Sequence, residues 1–117
     1  MLNLVGPQSR TVLQRVAEED VSNASFRYSK AREITIGSAP VLALRVGYVG
    51  ELGWELHIPT EYAAHVAEVL RDAGEDLGII DVGYRAIDTM RMEKGYLYWS
   101  TDITPDTMPW EAGLAWR

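Results

Sequence analysis

The sequence contains no cysteine, which excludes disulfides and thiolate metal sites and fits a reducing compartment. Histidine is nearly as scarce. His57 and His65 are the only two, so a histidine-rich metal centre is not expected. No apolar run approaches the roughly 20 residues needed to cross a bilayer, and no signal peptide opens the chain, so the sequence reads as soluble, cytoplasmic and without a membrane partner. Positive charge is in short supply. Eleven Lys and Arg stand against 17 Asp and Glu, for a net charge of −6, and the basic residues are scattered, whereas a nucleic-acid partner calls for clustered cations. Repeats, low-complexity tracts and linkers are missing. So are a Gly-x-Gly-x-x-Gly phosphate loop, a Ser-His-Asp arrangement and a nucleophilic thiol, which leaves no catalytic residue to nominate.

What remains is a chain of 117 residues, 47% apolar and 24% charged, enough for one packed domain spanning residues 1–117 and too short for separate cofactor and substrate domains. Leu2 to Val5 reads as a short strand. Gly6 and Pro7 suit a helix start, with Pro7 at the first helical position and Val12, Leu13 and Val16 as the apolar stripe. The polar stretch Glu18 to Lys30 reads as loop. Ile34 to Ile36 and Val41 to Val49 are strand-like, divided by a turn at Gly37, Ser38 and Pro40, and Trp54 to Ile58 is a further strand. Thr60 can cap a helix whose inward face carries Tyr62, Val66, Val69, Leu70 and Ala73, with Gly74 as the stop. Another helix runs from about Val82 to Lys94, capped by Asp81, with Ala86, Ile87 and Met90 inward and Gly95 closing it. Strands and helices interleave without strict alternation, so the expected fold is α+β: a mainly antiparallel sheet with helices packed on it.

The most informative local feature is Tyr48-Val49-Gly50-Glu51-Leu52-Gly53-Trp54-Glu55. A four-residue hairpin loop from Gly50 to Gly53 would set Val49 opposite Trp54, Tyr48 opposite Glu55 and Val46 opposite His57. Trp54, Leu56 and Ile58 would then face the core. A carboxylate beside an aromatic ring suits a flat polar heterocycle, because an ionised Glu accepts two parallel N–H donors while the ring packs on aromatics. The same pair also reads as an ordinary cross-strand surface contact, and periodicity alone favours that simpler reading.

The run RVGYVGELGWELHIPTEYAAHVAEVL resembles the Tyr-x-Gly-Glu-x-Gly-aromatic-Glu pattern of the folate-binding domains of glycine-cleavage T-proteins (aminomethyltransferases) and dimethylglycine dehydrogenases. AIDTMRMEKGYLYWSTDITPDTMPWEAGLAW resembles that family's Asp-x-x-Arg-hydrophobic-Glu-x-Gly helix, its Asp-Ile/Thr-Pro stretch and its Glu-Ala-Gly-Leu turn. NLVGPQSRTVLQRV resembles its Gly-Pro helix, so the likeness covers nearly the whole chain. Glu-Leu-Gly-Trp-Glu-Leu with Met-Glu-Lys-Gly-Tyr is more similar to the sarcosine and dimethylglycine dehydrogenase branch. The resemblance implies binding of tetrahydrofolate, which accepts a one-carbon unit, with Tyr48 and Glu55 at pterin-contacting positions, Leu56 and His57 lining the same stretch, and Trp116 at an aromatic position bordering folate.

The chain departs from the T-protein pattern where a folate-contacting Arg precedes the helix Asp: here Ile87 precedes Asp88. Arg85 and Arg91 are the nearby cations, though helix-surface pairing at i,i+3 is the simpler reading of Arg85, Asp88 and Arg91, and the same holds for Glu93 and Lys94. His57 reads as a half-buried strand residue and His65 as lying at a helix boundary. The family's acidic residue that assists one-carbon transfer lies upstream of this segment, FAD sits on a separate domain, and a barrel follows Trp116. The resemblance therefore implies an excised part of a larger enzyme, inactive alone, whose partners are tetrahydrofolate and the rest of that enzyme. Uncovered apolar surface would favour self-association. A stand-alone folate-sensing module and a purely structural or assembly module are the alternatives, separable by a folate titration.

Overall fold

A computed structural model describes residues 1–115, which form two compact units: Met1–Gly47 with Glu51–Val82, and Tyr48–Gly50 with the residues from Gly83 onward. The first unit is a four-stranded antiparallel sheet, β1 (Leu2–Val5), β2 (Ala31–Ile36), β3 (Ala39–Leu44) and β4 (Gly53–His57), in the order β1-β4-β3-β2. With it go the helices α1 (Ser9–Val16) and α2 (Ala63–Gly74). This is the expected α+β class.

Side chains alternate across a strand. Leu4, Ile34, Ile36, Val41, Ala43, Trp54 and Leu56 share one buried face. Val12 and Leu13 of α1 and Val66 and Leu70 of α2 join them in a single core, with Val16, Tyr62, Val69 and Ala73 packed at its margin. Each fully buried aliphatic side chain contributes about 1.5–3 kcal/mol, so these two helical stripes and the inner sheet face are what hold the unit together. The polar stretch after α1 has no regular helix or strand but supplies two core residues that periodicity did not flag, Val21 and Phe26, both fully buried. Phe26 meets Trp54 edge-on at 6.1 Å. Arg45 ties this loop down by donating to the Phe26 carbonyl at 2.7 Å and to Asn23 Oδ1 at 2.6 Å.

Several helix signals act differently from expectation. Pro7 precedes α1 instead of opening it. The Ser9 amide closes a turn on the Gly6 carbonyl at 3.1 Å, and the buried Ser9 hydroxyl donates to the Leu52 carbonyl at 3.0 Å, which sets the helix start two residues later. Thr60 makes no cap and begins a short 3-10 turn before α2. Gly74 ends α2, but the reversal is made by Gly78, whose φ of 74° is open to glycine at little cost. Asp81 pairs with Arg71 at 2.8 Å and caps nothing. Pro40 lies within β3, not in the turn, at a place beyond the β4 ladder that begins at Leu42, where a residue without an N–H is tolerated.

The larger correction concerns the β3–β4 register. Glu55 stands opposite Leu44, and His57 opposite Leu42. Residues 45–52 form the connection, and Tyr48 is on no strand. The expected Tyr48–Glu55, Val46–His57 and Val49–Trp54 pairs do not form, because Val46 to Val49, although strand-like in composition, leave the ladder.

The second unit contains α3 (Tyr84–Glu93), followed after its C-cap Lys94 by Gly95 with φ of 71°, and a loop closed by a bridge between Trp99 and Ile103. Its N-cap is Gly83. Ala86, Ile87 and Met90 are half-buried, and the buried residue of the helix is Arg91. Among the described residues no helix is long and apolar enough to cross a membrane.

Candidate functional site

In the first unit, strand alternation turns Glu55 and His57 to the face opposite the core. Asn3 of β1 and Leu44 of β3 flank Glu55, so its carboxylate stands in a row of mixed polar and apolar side chains. His57 Nε2 lies 3.7 Å from Glu55 Oε2, with the carboxylate side chain 29% and the imidazole 45% exposed. At that distance the two attract when the imidazole is protonated but do not share a short hydrogen bond. A shallow depression of about 770 Å³ on the same unit is lined by Glu33, Thr35, Leu42, His57 and Pro59 among others, without Glu55. Leu56 points the other way. It is fully buried in the core, so its side chain presents no surface to a ligand and only its backbone is available.

In the second unit, Tyr48 is held among aromatic residues. Its ring centroid lies 5.9 Å from Tyr96 and 6.0 Å from Tyr98, the latter edge-on, distances at which aromatic pairs attract beyond simple burial. The Tyr48 hydroxyl donates to the Leu97 carbonyl. A cleft of about 530 Å³ is walled by Tyr48, Tyr84, Arg85, Asp88, Arg91 and Tyr98. Tyr84 and Tyr98 join their hydroxyls at 3.1 Å, and this bond holds the Tyr84 phenol above its ordinary value of 10.0. The cleft therefore offers ring faces, phenol oxygens and an exposed guanidinium, a set suited to a flat, partly polar ligand.

The two cations left open by sequence now separate. Arg91 is 4% exposed. Its Nε reaches Asp88 Oδ1 at 2.8 Å, as the i,i+3 spacing predicts, its Nη1 donates to the Tyr96 carbonyl at 3.0 Å, and Nη1 also pairs with Asp102. The bond to Asp88, with Asp102 behind it, raises its pKa above the ordinary arginine value. Arg91 is thus committed within the unit, whereas Arg85 is exposed at the cleft. The Asp88 half of the cluster was legible from helical spacing; the Asp102 half joins a helix to a loop, and no local spacing encodes it. Likewise the Tyr96-x-Tyr98 pair was visible as composition but not as a wall around Tyr48. Trp116 lies outside the described residues.

Comparison with known proteins adds to this geometry. The family model described as GCVT N-terminal domain matches residues 1–117. The chain is 45% identical over 98% of its length to mitochondrial sarcosine dehydrogenase of Homo sapiens, and 40% identical over 97% to mitochondrial dimethylglycine dehydrogenase of Mus musculus. It is 41% identical over 99% to an aminomethyltransferase of Halothermothrix orenii. It spans 12%, 13% and 32% of those proteins, respectively.

Proposed function

Since the chain belongs to the GCVT N-terminal domain family, we propose that it is a tetrahydrofolate-binding portion of an aminomethyltransferase-like domain that accepts one-carbon units, within an enzyme of the sarcosine or dimethylglycine dehydrogenase type. The observation that carries this reading is the cleft walled by Tyr48, Tyr84 and Tyr98 with Arg85 and Asp88 beside them, ring faces next to charged groups of the kind that orient a planar polar heterocycle.

In the first unit, Glu55 is proposed separately as a folate contact, on the family resemblance: its carboxylate, on the solvent side of the sheet, can accept paired N–H donors. His57, next along that face, and Trp116 are further proposed contacts, and Leu56 contributes only through its backbone. No residue of the chain is assigned to the chemical step. Flavin chemistry, and the acid that assists one-carbon transfer, belong to other parts of the enzyme in this reading.

The test is tetrahydrofolate titration of the full-length enzyme carrying Glu55→Gln. The substitution keeps the shape but sets an amide donor against a ligand donor, and an unpaired donor in a closed site costs about 1–3 kcal/mol, so affinity should fall about tenfold to a hundredfold. Glu68→Gln, on the exposed face of α2, is the control. Equal affinities in the two folded variants would remove Glu55 from the site and favour a structural or assembly role.

A further inference from the structure

Arg91 is the only buried charged side chain among the described residues. A buried guanidinium is unfavourable unless its donors are matched, and here the matching comes from two places: Asp88, one helical turn back, and the loop after α3. In that loop the Tyr96 carbonyl and the Asp102 carboxylate both accept from Arg91 Nη1. Asp102 also accepts the Tyr98 backbone N–H at 2.7 Å. These two bonds hold Asp102 below the ordinary carboxylate value, the Tyr98 amide being the larger cause, so the group stays ionised across the neutral range.

Leu97 lies between the two clasped residues, and its carbonyl accepts the Tyr48 hydroxyl. The rings of Tyr96 and Tyr98 flank the Tyr48 ring. The hydrogen bond and both ring contacts of Tyr48 described here therefore come from the three-residue stretch that Arg91 and Asp102 pin to α3. We propose that Asp102, acting through Arg91 and the Tyr98 amide, is a positioning residue that sets the orientation of Tyr48 toward its ligand. Asp88 shares the guanidinium but touches none of the 96–98 stretch in the bonds described, so it neutralises charge without directing the ring.

This inference rests on the folate reading of Tyr48, and its test separates the two. In the full-length enzyme, Asp102→Asn should weaken tetrahydrofolate binding by about tenfold, the scale of one misplaced hydrogen-bonding group. Glu93→Gln, at an exposed position of the same helix that does not line the cleft, should bind like the wild type. In a Tyr48→Phe background the effect of Asp102→Asn should shrink to less than about twofold, since residues that act through one another are non-additive. An undiminished loss in that background, or an equal loss from Glu93→Gln, would mean general destabilisation and overturn the proposal.

Ring-labelled tyrosine NMR reads the same device without folate: the Tyr48 signal should move in Asp102→Asn and stay in Asp88→Asn, and an unmoved signal overturns the proposal. If the signal moves as expected while Tyr48→Phe and Glu55→Gln leave folate affinity unchanged, the folate reading fails and the positioning of Tyr48 stands. Should Asp102→Asn not fold, Arg91→Lys carries the same predictions, because an ammonium cannot hold Tyr96, Asp88 and Asp102 in one planar fork.

Discussion

Gly53 approaches β1 so closely that a Cβ built on it would stand 2.7 Å from the carbonyl oxygen of Leu4 and 3.1 Å from Cα of Val5. The second glycine of the Gly-Glu-Leu-Gly run is thus required by a strand contact and not by a turn. Both neighbours are backbone atoms within a ladder, so they yield only if the strands part. Gly53→Ala should lower stability by about 1–3 kcal/mol, the usual cost of forcing extra atoms into a packed place, and should loosen amide protection in β1. A urea midpoint equal to wild type would show that the sheet absorbs the methyl group.

Leu56 provides a test of core against ligand roles. Its side chain is fully buried, so Leu56→Ala should cost about 2–5 kcal/mol through lost burial and a cavity, while Leu56→Met, similar in volume, should cost less than about 1.5 kcal/mol. If the protein tolerates Leu56→Ala without a shift in its unfolding midpoint, the inner sheet face is not the core described above.

The acid limb of stability should depend on three carboxylates. Hydrogen bonds, chiefly from the Ser25 hydroxyl to Asp20, from Arg15 to Asp76 and from the Tyr98 amide to Asp102, hold each below the ordinary 3.8. A depressed native pKa means that the unfolded chain takes up protons first. The contribution is therefore present above pH 3.8 and is lost as pH falls through the native values. Asp20→Asn should flatten this limb. Denaturant midpoints of variant and wild type that stay parallel from about pH 5 to about pH 2 would rule out linkage at Asp20.

Sheet edges suggest an association test. Among the described residues β1 pairs with β4 alone, leaving its other side open, whereas the segment after α1 partly covers β2 through Glu18 N–H on the Thr35 carbonyl and an Ala17–Ile36 bridge. Open strand edges recruit other chains. The isolated 117-residue chain should show mass growth with concentration in light scattering, and a monodisperse monomer throughout would count against edge exposure as a driver.

The faces of the sheet were legible in the sequence, and the strand partners were not. Glu55 and His57 outward with Trp54 and Leu56 inward follow from alternation, and they survive because the true register differs from the expected one by four places, an even shift. Which residue meets Glu55 depends on loop length, and the Val46 to Val49 run hid the longer loop by looking like strand. The stripes of α1 and α2 were readable from the helical period. Phe26 and Val21 were not, since an isolated apolar residue in a polar stretch has no period to betray it. The Asp102 partner of Arg91 was invisible for a related reason: contacts between separate segments leave no spacing behind.

The place of β1 at the sheet edge also bears on the order of assembly. Its sole partner strand among the described residues lies fifty positions onward, Leu4 meeting Trp54, so during synthesis β1 emerges well before that strand. β2 and β3, adjacent and joined by a tight turn, can zip early, and β4 can add to them. Closing the longest loop is the entropically costliest of the three strand pairings. Until then Leu2 and Leu4 remain wet, which makes the growing chain depend on prompt delivery of the segment around Trp54.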